Sequence, residues 1–181
     1  MPEQFANSIA APPNPFTSAD VAQILHQRGW AAAELSPQQS AWCEHAAAVL
    51  GPQVADNNAL ADLLTLVFHY DAMEILAGVD SHVVLSRYAA RDVLRQLALL
   101  LLNPAPLDSE RFKEVITALK DGLDIRGREL FHPIRLALAG RSGEGELDRV
   151  ILLLGEAASA GFLAPVKTAR DRIVAFCAAL D

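Results

Sequence analysis

From Val21 to Leu180 the apolar residues of this chain recur three and four positions apart, and nowhere do they alternate with polar ones for long enough to make a strand. That period belongs to helices with one face turned to a core. The chain is therefore predicted to be all-α, a multi-helix bundle whose pieces are cut by recurring caps and stops. Thr17 or Ser18 caps a first helix carrying Val21, Ile24 and Leu25, which ends before Gly29. Ser36-Pro37 opens a second with Trp42, Cys43, Ala46, Val49 and Leu50 inward, and Gly51 closes it. Proline at the first helical position costs no hydrogen bond, which makes this start clear. Asp56-Asn57-Asn58 begins a third that runs to about Leu76, and Asp80 or Ser81 begins a fourth carrying Val84, Tyr88, Val93, Leu94 and Leu97. Asp108 or Ser109 caps a fifth, stopped at Gly122, and Pro165 opens the last, with Val166, Ile173, Val174, Cys177 and Leu180 inward.

Asn103-Pro104-Ala105-Pro106 is the best boundary in the chain. It divides an N-terminal helical subdomain, 17–103, from a C-terminal one, 107–181, behind a mobile leader at 1–16. A hydrophobic content of 52% supports a sizeable core. The longest apolar run, Leu97 to Leu102, is far too short to cross a membrane. No secretory signal precedes the first helix, so a cytoplasmic protein is expected, with Cys43 and Cys177 as small buried thiols.

Between Gly127 and Gly155 the sequence reads as turn, helix, tight loop, helix, stop. Leu130, Ile134 and Leu138, then Leu147, Val150, Ile151 and Leu154, form two apolar stripes, and Pro133 starts or kinks the first helix. Arg128, Arg135, Arg141 and Arg149 lie off those stripes and are expected at the surface. Charge is uneven around this stretch. Residues 1–110 hold four arginines, no lysine and 12 acids, whereas residues 111–149 hold eight basic side chains and seven acidic ones.

Arg126-Gly127-Arg128, Leu130 through Leu138, Gly140-Arg141, and Glu146-Leu147 through Leu154-Gly155 together resemble the C-terminal anticodon-binding region of bacterial glutamyl-tRNA synthetases. The motif covers the stretch just described, and the helices before it correspond to that region by pattern. The resemblance implies the helical bundle of the anticodon-binding domains of class I glutamyl-tRNA synthetase. It also implies that Arg135 and the loop Arg141 to Glu146, Ser142 included, touch anticodon bases. Arg126 and Arg128 suit the backbone phosphates, which position an RNA without specifying it. Two departures are visible: Ala139 stands where the family has threonine, and Glu144-Gly145 where it commonly has glycine-proline.

No enzyme is expected. The sequence Gly140 to Gly145 is no phosphate loop, because no strand precedes it and Glu144 sits where phosphate would bind. His26, His45, His69, His82 and His132 have no metal-ligand spacing, so neither metal nor cofactor is predicted. Nor are the two signatures of a synthetase catalytic domain present. Two readings stay open. In the first the chain is a non-catalytic module that binds the anticodon arm of tRNA, partnered by a synthetase or another protein. In the second it is a protein-interaction or regulatory helical domain that keeps the fold without RNA contact.

Overall fold

A computed structural model describes residues 14–181; the first 13 residues of the expected leader lie outside them. The described residues form ten α-helices and no strand, as the apolar period requires. These are α1 (Ser18–Gln27), α2 (Pro37–Leu50), α3 (Asn57–Phe68), α4 (Ala72–Ala77), α5 (Val79–Leu85), α6 (Ala90–Leu101), α7 (Ser109–Leu123), α8 (Arg128–Ala139), α9 (Glu146–Ser159) and α10 (Ala169–Leu180).

The predicted caps operate as hydrogen bonds. Ser36 Oγ accepts from the Gln39 N–H at 3.1 Å while the Gln39 side-chain oxygen, Oε1, accepts from the Ser36 N–H at 3.0 Å. Each side chain satisfies a donor that the first turn of α2 leaves free. The side chains of Asp56, Asp108 and Thr168 cap α3, α7 and α10, each accepting from one first-turn N–H. Gly51 departs from expectation. Its φ of −53° is ordinary helical backbone, and the chain continues into a short 3-10 turn. A Cβ there would displace the side chain of Asn14, whose amide donates to Ala47 O at 2.9 Å.

Five further boundaries differ from the sequence reading. The third helix stops at Phe68, and Asp71 restarts it by accepting from the Met73 and Glu74 N–H groups. The fourth is two helices, α5 and α6, and Tyr88 in the turn between them is 99% exposed instead of buried. α9 runs straight through Gly155, and α10 begins at Ala169 instead of Pro165. α8 starts at Arg128, with Pro133 in its interior.

α8 lies within the bundle and touches α5, α6, α9 and α10. Every residue from Pro133 to Ala139 is buried, so its apolar surface is a full circumference and not a stripe. One apolar cluster gathers residues from either side of the 103–106 linker. Trp42, Phe68 and Phe162 meet edge to face in it, with ring centroids 5.2 to 5.4 Å apart.

The cluster also encloses a cation. Arg172 of α10 is 0% exposed. Its Nη1 donates to Leu66 O at 2.8 Å and Leu138 O at 3.0 Å, its Nη2 to Val67 O at 2.7 Å, and its Nε to Lys167 O at 3.0 Å. Leu66 and Val67 belong to the last turn of α3 and Leu138 to the last turn of α8, where carbonyls lack helical partners and the helix dipole is negative. Tyr70 lies under the guanidinium, 4.7 Å from it, and donates its hydroxyl to Ala137 O and Arg172 O. Burial pulls the Arg172 pKa down to about 10, which still leaves it charged at neutral pH.

Candidate functional site

The stretch that the sequence marked out folds as an elbow of α8, a loop at 140–145, and α9. Gly127 enters α8 at φ 63° and Gly140 leaves it at φ 88°, a conformation that favours glycine. Gly140 N–H closes the helix on Leu136 O at 3.0 Å. Gly143 is small for another reason: a Cβ there would run into the Leu147 side chain.

Arg135 holds this elbow. Its Nε and Nη2 donate to the two carboxylate oxygens of Asp148 at 2.8 and 2.9 Å, and its Nη1 donates to Gly143 O at 2.8 Å. The guanidinium also lies over the Phe131 ring, 4.8 Å from its centroid. The hydrogen bond that it donates to Asp148 is the main reason the Arg135 pKa is raised above its ordinary value. The expectation of a surface arginine is therefore corrected. Arg135 is buried, because a planar fork that meets a carboxylate with both prongs can leave water where a lone charge could not. The bond to the loop carbonyl had no sequence signal.

The other expected site residues are spread around the elbow. Arg126 and Arg128 are exposed at the entrance to α8, and Arg141 is exposed just past its exit. Ser142 and Glu146 are half-buried in the loop and at the first position of α9. Arg141 borders a cavity of about 430 Å³ to which Asp71, Glu74 and Asp80 also contribute. Its field is thus partly cancelled, while that of Arg128 is reinforced.

The reinforcement comes from a residue the sequence reading left out. Arg87, in the turn between α5 and α6, donates from Nη1 to His132 Nδ1 at 2.8 Å. His132 lies one helical turn beyond Arg128 on α8. Its pKa is held below the usual histidine value, first by burial and then by Arg87, Arg128 and Arg135, against a smaller opposing effect of Glu144. An imidazole that accepts from Arg87 on Nδ1 carries its proton on Nε2. Arg87 and His132 are 45 residues apart, so no local spacing could have paired them.

Among the described residues no group of three or more His, Cys, Asp or Glu side chains is placed to hold a metal, and no helix is long and apolar enough to cross a membrane.

Comparison with known proteins gives these features a context. The profile of a family described as "Anticodon binding domain" matches residues 19–161. A Glutamate–tRNA ligase 2 of Syntrophus aciditrophicus is 28% identical over 123 residues, 68% of this chain and 25% of that protein. A Glutamate–tRNA ligase of Bacillus cytotoxicus is 28% identical over 134 residues, 73% of this chain and 27% of that protein. A Glutamate–tRNA ligase 2 of Gluconacetobacter diazotrophicus is 38% identical over a shorter stretch of 58 residues, 32% of this chain and 13% of that protein. The match falls in the C-terminal region of these ligases, so the chain spans about a quarter of the length of the first of them. No solved structure matches.

Proposed function

The chain belongs to the anticodon binding domain family, and from that premise we propose that it is a tRNA-binding module that engages the anticodon arm and performs no catalysis of its own. The observation that carries this reading is the family match, which covers α1 through α9 and includes the whole elbow. The geometry is consistent with it. Arg126, Arg128 and Arg141 stand exposed at the two ends of α8, where phosphates can reach them. The loop between Arg141 and Glu146, with Ser142 in it, is pinned from beneath by Arg135 through Gly143 O, so it offers its backbone groups to unpaired bases in one conformation. In this reading Arg135 is a positioning residue that shapes the loop. A cytoplasmic setting, and work beside a synthetase or another protein acting on tRNA, belong to the same proposal.

Few cations face the RNA, so affinity should be modest and steeply dependent on salt. A gel-shift against bulk tRNA at low and at physiological salt tests the reading. The expected result is binding tighter than about 10⁻⁴ M at physiological salt, the weak end of non-specific nucleic-acid binding, with a salt slope that Arg128→Ala reduces by about one contact. No binding tighter than that limit would overturn it.

A further inference from the structure

One ring stands apart from the rest. Every other aromatic side chain of the described residues is buried in the apolar cluster or packed against it; Tyr88 is 99% exposed. An exposed ring forgoes the burial that the others gain, so its position invites a ligand. Nor is the ring at the end of a loose loop. The turn that carries it is closed by the Arg87 N–H on Val84 O at 3.2 Å and the Ala90 N–H on Arg87 O at 3.3 Å. The side chain preceding it is anchored as well, since Arg87 reaches His132 at 2.8 Å and so ties the turn to α8.

The turn that carries the ring also carries the guanidinium of Arg87, and through His132 it is tied to the stretch of α8 that bears Arg128. An aromatic face next to guanidinium groups is how proteins hold unpaired nucleotides: the ring stacks on a base and the cations meet the flanking phosphates. A protein partner would find less here, because the exposed apolar neighbour Val83 adds little area and the adjoining charges would have to be desolvated.

We propose that Tyr88 is a stacking platform for an unpaired RNA base, with Arg87 and Arg128 taking the adjacent phosphates. The proposal rests on the tRNA-binding reading and extends it to a second element, the turn between α5 and α6, outside the elbow.

Fluorescence anisotropy of the full chain with labelled bulk tRNA and with a labelled unstructured oligouridylate tests it, using wild type, Tyr88→Ala and Tyr88→Phe. Tyr88→Ala should weaken both by about ten-fold, the scale of one lost base–aromatic stack. The salt slope should stay unchanged, because no charge is removed. Tyr88→Phe should bind like wild type, and both variants should melt like wild type, since the ring buries nothing. If wild type binds tRNA and Tyr88→Ala binds equally well, the platform is overturned while the tRNA-binding reading stands. If Tyr88→Phe is as weak as Tyr88→Ala, the hydroxyl makes the contact and stacking is overturned. If wild type does not bind tRNA at all, both readings fall together.

Discussion

Two buried arginines meet the same helix, and they are held in opposite ways. Arg135, in the middle of α8, faces a carboxylate with both prongs and gives its remaining contact to the loop carbonyl of Gly143. Arg172 reaches the end of α8 from α10 and donates only to backbone carbonyls, from α3, α8 and the segment before its own helix. The charge of Arg135 is cancelled by a side chain, so the two can be removed together. The charge of Arg172 is balanced by helix ends, which no substitution can remove. One arginine shapes a loop, and the other joins helices. Buried positive charge in this molecule is architecture, and the cations left for a ligand are those at the rim.

The largest effect should come from Arg172→Ala, which leaves carbonyls at Leu66, Val67 and Leu138 without a donor in the core. Denaturant unfolding should show a loss of about 3–5 kcal/mol, the range for a buried charged group removed from its partners. Arg172→Lys should recover part of this, because one ammonium reaches fewer of the four carbonyls. A loss below about 1 kcal/mol would break the comparison. Leu66 and Val67 precede the Asn103–Pro106 linker, and Leu138 and Arg172 follow it. If 17–103 and 107–181 are two subdomains, as proposed, Arg172→Ala should therefore unfold in two steps; a single step would argue for one unit.

At the elbow a smaller loss is expected, about 2–3 kcal/mol for Arg135→Ala, the scale of hydrogen bonds to a charged group. Asp148→Ala should cost a similar amount. The double variant should lose less than the sum, by about 1–3 kcal/mol, because each single change strands a charge; strict additivity would remove the distinction from Arg172. The same pair sharpens the functional reading. If Arg135 acts through the loop, Asp148→Ala weakens tRNA binding as Arg135→Ala does. If only Arg135→Ala weakens it, Arg135 touches the RNA directly.

The smallest effect concerns His132, which lies between the rim cations and the core. Its folded pKa is lowered, so the unfolded chain takes up the proton first as pH falls. Its contribution to stability is present above the unfolded value of about 6.5 and is lost on acidification below it. Melting temperature measured between pH 7 and pH 5.5 should fall slightly more for wild type than for His132→Asn. Equal falls would show that neither burial nor the neighbouring arginines hold the imidazole pKa down.

What was legible in the sequence followed the range of the forces involved. Val21, Leu60 and Ile134 announced their burial through helical spacing, and Ser36, Asp56 and Asp108 announced the helix starts through local hydrogen-bond chemistry. The breaks at His69–Asp71 and Ser86–Ala89 were not legible. Neither contains glycine or proline, and Tyr70 and Arg87 are set by partners on distant helices. Tyr88 was placed in the core because one continuous helix would have put it there; the turn rotates it out. Of the candidate site, the elbow and its glycines were visible in the motif. The burial of Arg135 was not, since a pattern of polar and apolar residues treats a paired arginine as a surface one. Arg172 gave no signal at all, because its partners are backbone atoms that every residue possesses.

The reach of Arg172 bears on time as well as on strength. Its hydrogen bonds close sequence separations of 34, 105 and 106 residues on a single side chain. Contacts that distant cost the most chain entropy to form, so α3, α8 and α10 must already be near their final places before the guanidinium can bind them. An interaction made that late is weak or missing in the folding transition state, and losing it changes the rate of unfolding more than the rate of folding. Arg172 is thus a latch: its removal would leave the protein able to fold at nearly the same speed while shortening how long each folded molecule survives.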